Sequence, residues 1–243
     1  MPFRMLTNTD VGRTTALDTP FAKWATTPAG QRPITQAQYD QLVALRTPWK
    51  QANTAAATAL VAQTNATSRA EALGQSLERL ISHFFQVFNL AVARGYYPAS
   101  ARAHYKLDVS RADVPLVLSQ ADRLTWAQNI VDGEAARQTA EGAAFKPMAM
   151  PAAAEVAAAL TAYQTAHATA STAKTNYDLA QEAVEQQRPA VDALILDLWD
   201  TVEYFYRHDE PSSLRRKARE WGVVYMTRPG EPEEPTPPPT PPA

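Results

Sequence analysis

The chain has 243 residues, with 23 lysines and arginines against 25 aspartates and glutamates, for a formal net charge of −2. That balance excludes a broad electrostatic footprint for nucleic acid or for a cation-rich partner. The absence of cysteine excludes disulfides, thiolate catalysis and cysteine-ligated zinc or iron–sulfur sites.

Hydrophobic residues make up 45 %, enough for a packed core in one large domain or two small ones. Much of that content is alanine, which favours helix and buries little area per residue, so close, thin helix contacts are expected. Met1 to Leu17 hold no apolar run of signal-peptide type, and no stretch approaches the ~18 apolar residues of a membrane-spanning helix. The expectation is a soluble, cytoplasmic protein.

Residues 1–33 show no hydrophobic period and are punctuated by Gly12, Pro20, Pro28, Gly30 and Pro33. This predicts an irregular N-terminal arm, with Phe21 and Trp24 as the residues that dock it. A first long helix is expected from about Thr35 to Arg94, on the 3–4 spacing of Leu42, Leu45, Trp49, Ala52, Ala56 and Leu60. The stripe resumes at Leu73, Leu77, Leu80, Phe84 and Phe88. Pro48 lacks the backbone donor and crowds the preceding turn, which predicts a kink or break near residues 44–48. Gly95 supplies the stop.

A connector over 96–117 leads to a third helix from about Ser119 to Glu141, with Ser119 and Asp122 as first-turn residues. The second long helix is expected from about Pro151 to His208. In it Val156, Leu160, Tyr163, His167, Ala170, Lys174 and Tyr177 alternate by four and three, the pattern of a heptad seam. Pro189 predicts a kink here, as Pro48 does in the first. A short basic helix, about Pro211 to Trp221, ends at Gly222. From 227 to 243 the composition turns to proline, glutamate and threonine, which predicts a disordered tail.

The two long patterns end alike. An offset of 113 residues brings Pro98 onto Pro211, Ser100 onto Ser213 and Arg102 onto Arg215. Two readings stand: coincidence, or an internal duplication relating about 34–109 to 147–223. The fold class that follows is all-α, an elongated bundle over 34–226 built on two long kinked helices. The antiparallel pairing is favoured, because it sets the alanine-rich half of each helix against the aromatic half of the other; a parallel pairing is the alternative.

No residue constellation carries a catalytic signature. Di-iron bundles use Glu-x-x-His on facing helices, and Glu78/His83 and Glu203/His208 have the wrong spacing. Asp197, Asp200 and Glu203 form an acidic line that reads either as a divalent-cation site or as the solvated edge of the apolar stripe. His167 at a seam position reads as a register-setting polar residue or as a pH-sensitive one. The sharpest charge feature is Arg215, Arg216, Lys217 and Arg219. These four either meet phosphates of nucleic acid or of an anionic membrane surface, or pair with nearby acids. No cofactor or metal is implied. The expected function is a non-enzymatic scaffold that self-associates or binds another helical protein. The alternatives are an adaptor for phosphate-bearing partners acting through 215–219, and a metal-dependent enzyme.

Overall fold

A computed structural model describes residues 2–227; the proline-rich tail expected at 227–243 lies, from residue 228 onward, outside the described residues. The chain is all-α. Its helices are α1 (Asp10–Thr26), α2 (Gln36–Ala93), α3 (Gln120–Glu141), α4 (Ala153–Phe205) and α5 (Pro211–Arg219). Short 3-10 segments lie at Ala29–Gln31, Ala99–Tyr105 and Gly142–Ala144. Strands β1 (Phe3–Arg4) and β2 (Tyr225–Met226) pair antiparallel, Phe3 opposite Met226.

The region expected to be an irregular arm contains α1, which corrects that expectation. The Thr9 hydroxyl caps it by accepting from the Gly12 N–H at 3.1 Å. Thr14, Thr15 and Thr19 each donate to the carbonyl four residues earlier, so their hydroxyls do not compete with the helix ladder. Leu17 and Trp24 bury one face. Of the kink or break expected at Pro48, the break is absent, and Pro189, where a kink is expected, likewise lies inside an unbroken helix. Both prolines are exposed, and so are Ala44 and Glu185, whose carbonyls lose a partner. On such exposed stretches solvent can take the place of the missing donor, so an interior proline need not break the helix.

Both long helices carry a seven-residue seam of buried or half-buried positions. In α2 it runs Leu42, Trp49, Ala56, Gln63, Ala70, Leu77, Phe84; in α4 it runs Val156, Tyr163, Ala170, Tyr177, Val184, Val191, Leu198. The partner positions in α4 are Ala166 and Ala173. His167 and Lys174, expected at the seam, are exposed one position away.

The chain divides into two compact units, residues 1–58 with 178–243 and residues 59–177. The first unit joins α1, the N-terminal part of α2, the C-terminal part of α4, and α5. Its core includes Leu17, Leu42, Trp49, Val191, Ile195, Trp199 and Trp221. The second joins the C-terminal part of α2, the Ala99–Tyr105 segment, α3 and the N-terminal part of α4, around Leu77, Ile81, Phe84, Phe85, Phe88, Tyr105, Ile130, Val156 and Tyr163. Within each unit α2 and α4 run antiparallel. In the first, Gln38 bonds Asp197 and Thr201, while Leu45 faces Ala190 and Leu194. In the second, Ala66 lies near Thr169, whereas Gly74 lies against Tyr163. Alanine-rich stretches thus meet aromatic ones.

The units repeat each other's burial pattern. With an offset of 114 in the long helices, Leu42/Val156, Trp49/Tyr163, Leu77/Val191, Ile81/Ile195, Phe84/Leu198, Phe85/Trp199 and Phe88/Val202 are buried pair by pair. With an offset of 110, Thr9 and Ser119 are equivalent caps, Leu17 and Ala127 equivalent core residues, and Arg13 and Arg123 equivalent cations. The two cations reach equivalent acids: Arg13 binds Asp192 and Arg123 binds Glu78. The offset of 113 expected from sequence is therefore off by one along the long helices, and α1 and α3 belong to the repeating pattern.

Candidate functional site

Charged residues of the first unit are first of all structural locks, beginning with several that the sequence did not single out. Arg13 holds Asp192 through two parallel bonds, Nε–Oδ1 at 2.7 Å and Nη2–Oδ2 at 2.9 Å. Asp10 accepts from Arg188 at 2.9 and 2.8 Å and from Arg13 at 3.2 Å. The Arg188 hydrogen bond is the largest influence holding the Asp10 carboxyl below its ordinary value. These bonds clamp α1 to α4, and Asp18 ties α1 to α2 through Arg46 at 2.5 Å and Lys50 at 3.0 Å.

The acidic line is occupied in the same way. Asp197 accepts from Gln38 at 2.7 Å, Asp200 and Glu203 accept from Arg4 at 2.5 and 3.1 Å, and Glu203 accepts from the Tyr225 hydroxyl at 2.5 Å. Burial, followed by the Glu203 bond, pushes the Tyr225 phenol well above its usual range. Asp200 and Glu203 fasten the two-stranded ribbon to α4, and Asp197 ties α2 to it. Among the described residues no group of three or more potential metal donors is assembled.

In the second unit the densest polar cluster lies inside the core. Arg137 is fully buried; it donates to the Tyr105 hydroxyl at 3.0 Å, to Glu134 at 3.1 Å and to the Lys146 carbonyl at 2.7 Å. Tyr105 donates to Glu134, which also accepts from the Met148 N–H at 2.8 Å. The Arg137 guanidinium lies over the rings of Tyr97 and Phe145, at 4.4 and 4.7 Å from their centroids. The Tyr105 phenol is pushed above its usual range, by burial first and by Glu134 second. Sequence reading passed over this cluster. Its signal was available: Glu134 and Arg137 sit three apart on the face that also carries Ala127 and Ile130.

A groove of about 500 Å³ lies in the first unit. Its walls are the end of α1, the turn through Gly30, the end of α4, and α5. Of the predicted basic residues, Arg216 and Lys217 line it. Arg219 instead lies over the Tyr225 ring at 5.4 Å, and Arg215 is half-buried. Lys23, hidden from sequence reading with the rest of α1, is the third lining cation. Pairing moderates the charge: Lys23–Glu220 at 2.7 Å, Lys217–Asp209 at 2.7 Å and Arg216–Glu220 at 4.0 Å. Phe205, 44 % exposed, and Tyr206 supply the aromatic surface.

Among the described residues no helix is long and apolar enough to cross a membrane. Comparison of the chain with protein-family models, with curated proteins and with solved structures finds no match.

Proposed function

We propose that this protein is a non-enzymatic scaffold that works through helix–helix contacts, with further copies of itself or with another helical protein. The observation that carries this reading is the outward face of α4 in the second unit. Ala158, Thr161, Ala162, Thr165, Ala168, Thr169 and Thr172 are exposed there in an unbroken series. The hydroxyls of Thr161, Thr165, Thr169 and Thr172 each donate to the carbonyl four residues earlier. With those donors occupied, the face presents mainly methyl groups. Shallow grooves of about 420 and 540 Å³ run along it. Small side chains let another helix backbone approach closely, so dispersion and apolar burial drive the contact. On α2 of the same unit, Leu60 and Val61 are exposed by 45 % and 60 %, an apolar surface of the kind that marks interaction sites.

Internal use of the charged clusters supports the same reading. The adaptor alternative, binding phosphate-bearing partners through 215–219, has only Arg216 and Lys217 lining the groove, because Arg219 lies over the Tyr225 ring and Arg215 is half-buried. The test is a pair of charge insertions on the exposed face, Ala168→Glu and Thr172→Glu. Helical content and thermal unfolding should stay as in the parent while association is lost. Association unchanged in both variants would overturn the reading.

A further inference from the structure

The groove of the first unit has a counterpart in the second, and the two are filled differently. Trp221 and Tyr105 are equivalent buried aromatics, 116 residues apart. Each is followed by a left-handed residue, Gly222 at φ 89° and Lys106 at φ 62°. Each turn then closes with the same kind of bond, Val223 N–H to the Ala218 carbonyl at 3.2 Å and Leu107 N–H to the Arg102 carbonyl at 3.1 Å. On the facing helices, Lys23 corresponds to Gly133 and Thr27 to Arg137. In the second unit the Tyr105 ring lies directly on Gly133, and Arg137 fills the adjoining space between Tyr97 and Phe145. In the first unit Thr27 is too short to do so, and the open groove remains.

We infer that this groove receives the acidic, proline-rich segment 228–243 of the same chain. Charge is the first ground. Three cations line the groove against the single acid Glu220, and the segment carries Glu231, Glu233 and Glu234 among its prolines. The existing rim pairs are no obstacle. Lys23, Arg216 and Glu220 have side chains 36 %, 50 % and 47 % exposed, and ion pairs that open to water contribute little and exchange partners readily. Shape is the second ground. Proline-rich chain packs on aromatic walls with little loss of entropy, because its extended conformation is largely preset; Phe205 and Tyr206 provide such a wall.

Reach is the third. The Tyr225 ring lies 5.4 Å from the Arg219 guanidinium, and Arg216 is one turn back along α5. Glu231 follows Thr227 by four residues, which span about 12 Å at ~3.1 Å per residue in extended proline-rich chain.

The cysteine-free chain allows a direct test in the full-length protein. Spin labels are placed through Gly30→Cys, where an added side chain meets nothing within 4 Å, and Thr236→Cys in the segment. Pulsed dipolar spectroscopy should show a narrow distance population. That population should be lost when Glu231, Glu233 and Glu234 are changed to Gln together, and also in Arg216→Gln, with helical content unchanged. A broad distribution indifferent to these substitutions overturns the inference. A narrow population that disappears on dilution with unlabelled protein also overturns it, because the segment then comes from a neighbouring chain.

Discussion

Replacing Arg137 by Leu tests whether the buried cluster holds the second unit together. The substitution removes donors to Tyr105, Glu134, the half-buried Glu141 and the Lys146 carbonyl, and a cation from between two aromatic rings. Glu134, only 9 % exposed, keeps the Met148 N–H and the Tyr105 hydroxyl but loses its guanidinium. Removing one partner of a buried ion pair costs about 3–5 kcal/mol, mostly because the other charge is left uncompensated. For a cooperative unit of this size that corresponds to a fall in melting temperature of about 10–25 °C. Thermal and urea unfolding followed by circular dichroism measure it. The double variant Glu134→Gln/Arg137→Leu removes the orphaned charge and should recover about 1–3 kcal/mol of the loss. A cost below about 1 kcal/mol for Arg137→Leu, or a double variant no better than the sum of the singles, would refute this account of the cluster.

Two further outcomes are expected. Gly133→Ala should destabilise by about 1–3 kcal/mol despite alanine's higher helix propensity. The new Cβ would stand 2.5 Å from the Tyr105 ring and 2.8 Å from the His104 carbonyl, so a stabilised variant in urea unfolding would contradict the packing described. Asp10 gives a pH signature. Its folded-state value is depressed, chiefly by the Arg188 hydrogen bond, so the stability it contributes is complete well above the ordinary carboxylate value of about 3.9 and is lost as pH falls through the lower folded value. Asp10→Asn should therefore be less stable than the parent at neutral pH, with the gap closing below about pH 4. A gap that is constant with pH would count against it.

The long helices were legible because their core positions repeat every seven residues for most of their length, a signal that no local feature cancels. The third helix was equally plain: Ser119 and Asp122 form a reciprocal capping box at its start. Where reading failed, local chemistry and tertiary context pointed different ways. In α1, Gly12, Pro20 and four threonines suggest loop, while Thr9, Leu17 and Trp24 supply a cap and a buried face that only packing against α2 and α4 makes decisive. At Pro48 the helix continues where a break was one of the two expectations, on a stretch where Pro48 and Ala44 are both exposed. His167 shows how little separates seam from surface, since a one-residue shift places Ala166 inside and the imidazole out. The basic segment was correctly located as a helix. Its pairing with Glu220 and Asp209, four and eight residues away, was within reach of sequence reading as the nearby-acid alternative. The presence of Lys23 across the groove rests on a contact 197 residues apart that no local pattern encodes.

The scaffold proposal meets its most direct test in the mass of the purified full-length protein, measured by light scattering across a wide concentration range. The proposal predicts a mass that rises above the 26.6 kDa of one chain as concentration increases, and that falls back to one chain in Ala168→Glu. A mass of one chain at every concentration, with no helical partner added, would contradict self-association as the basis of the scaffold.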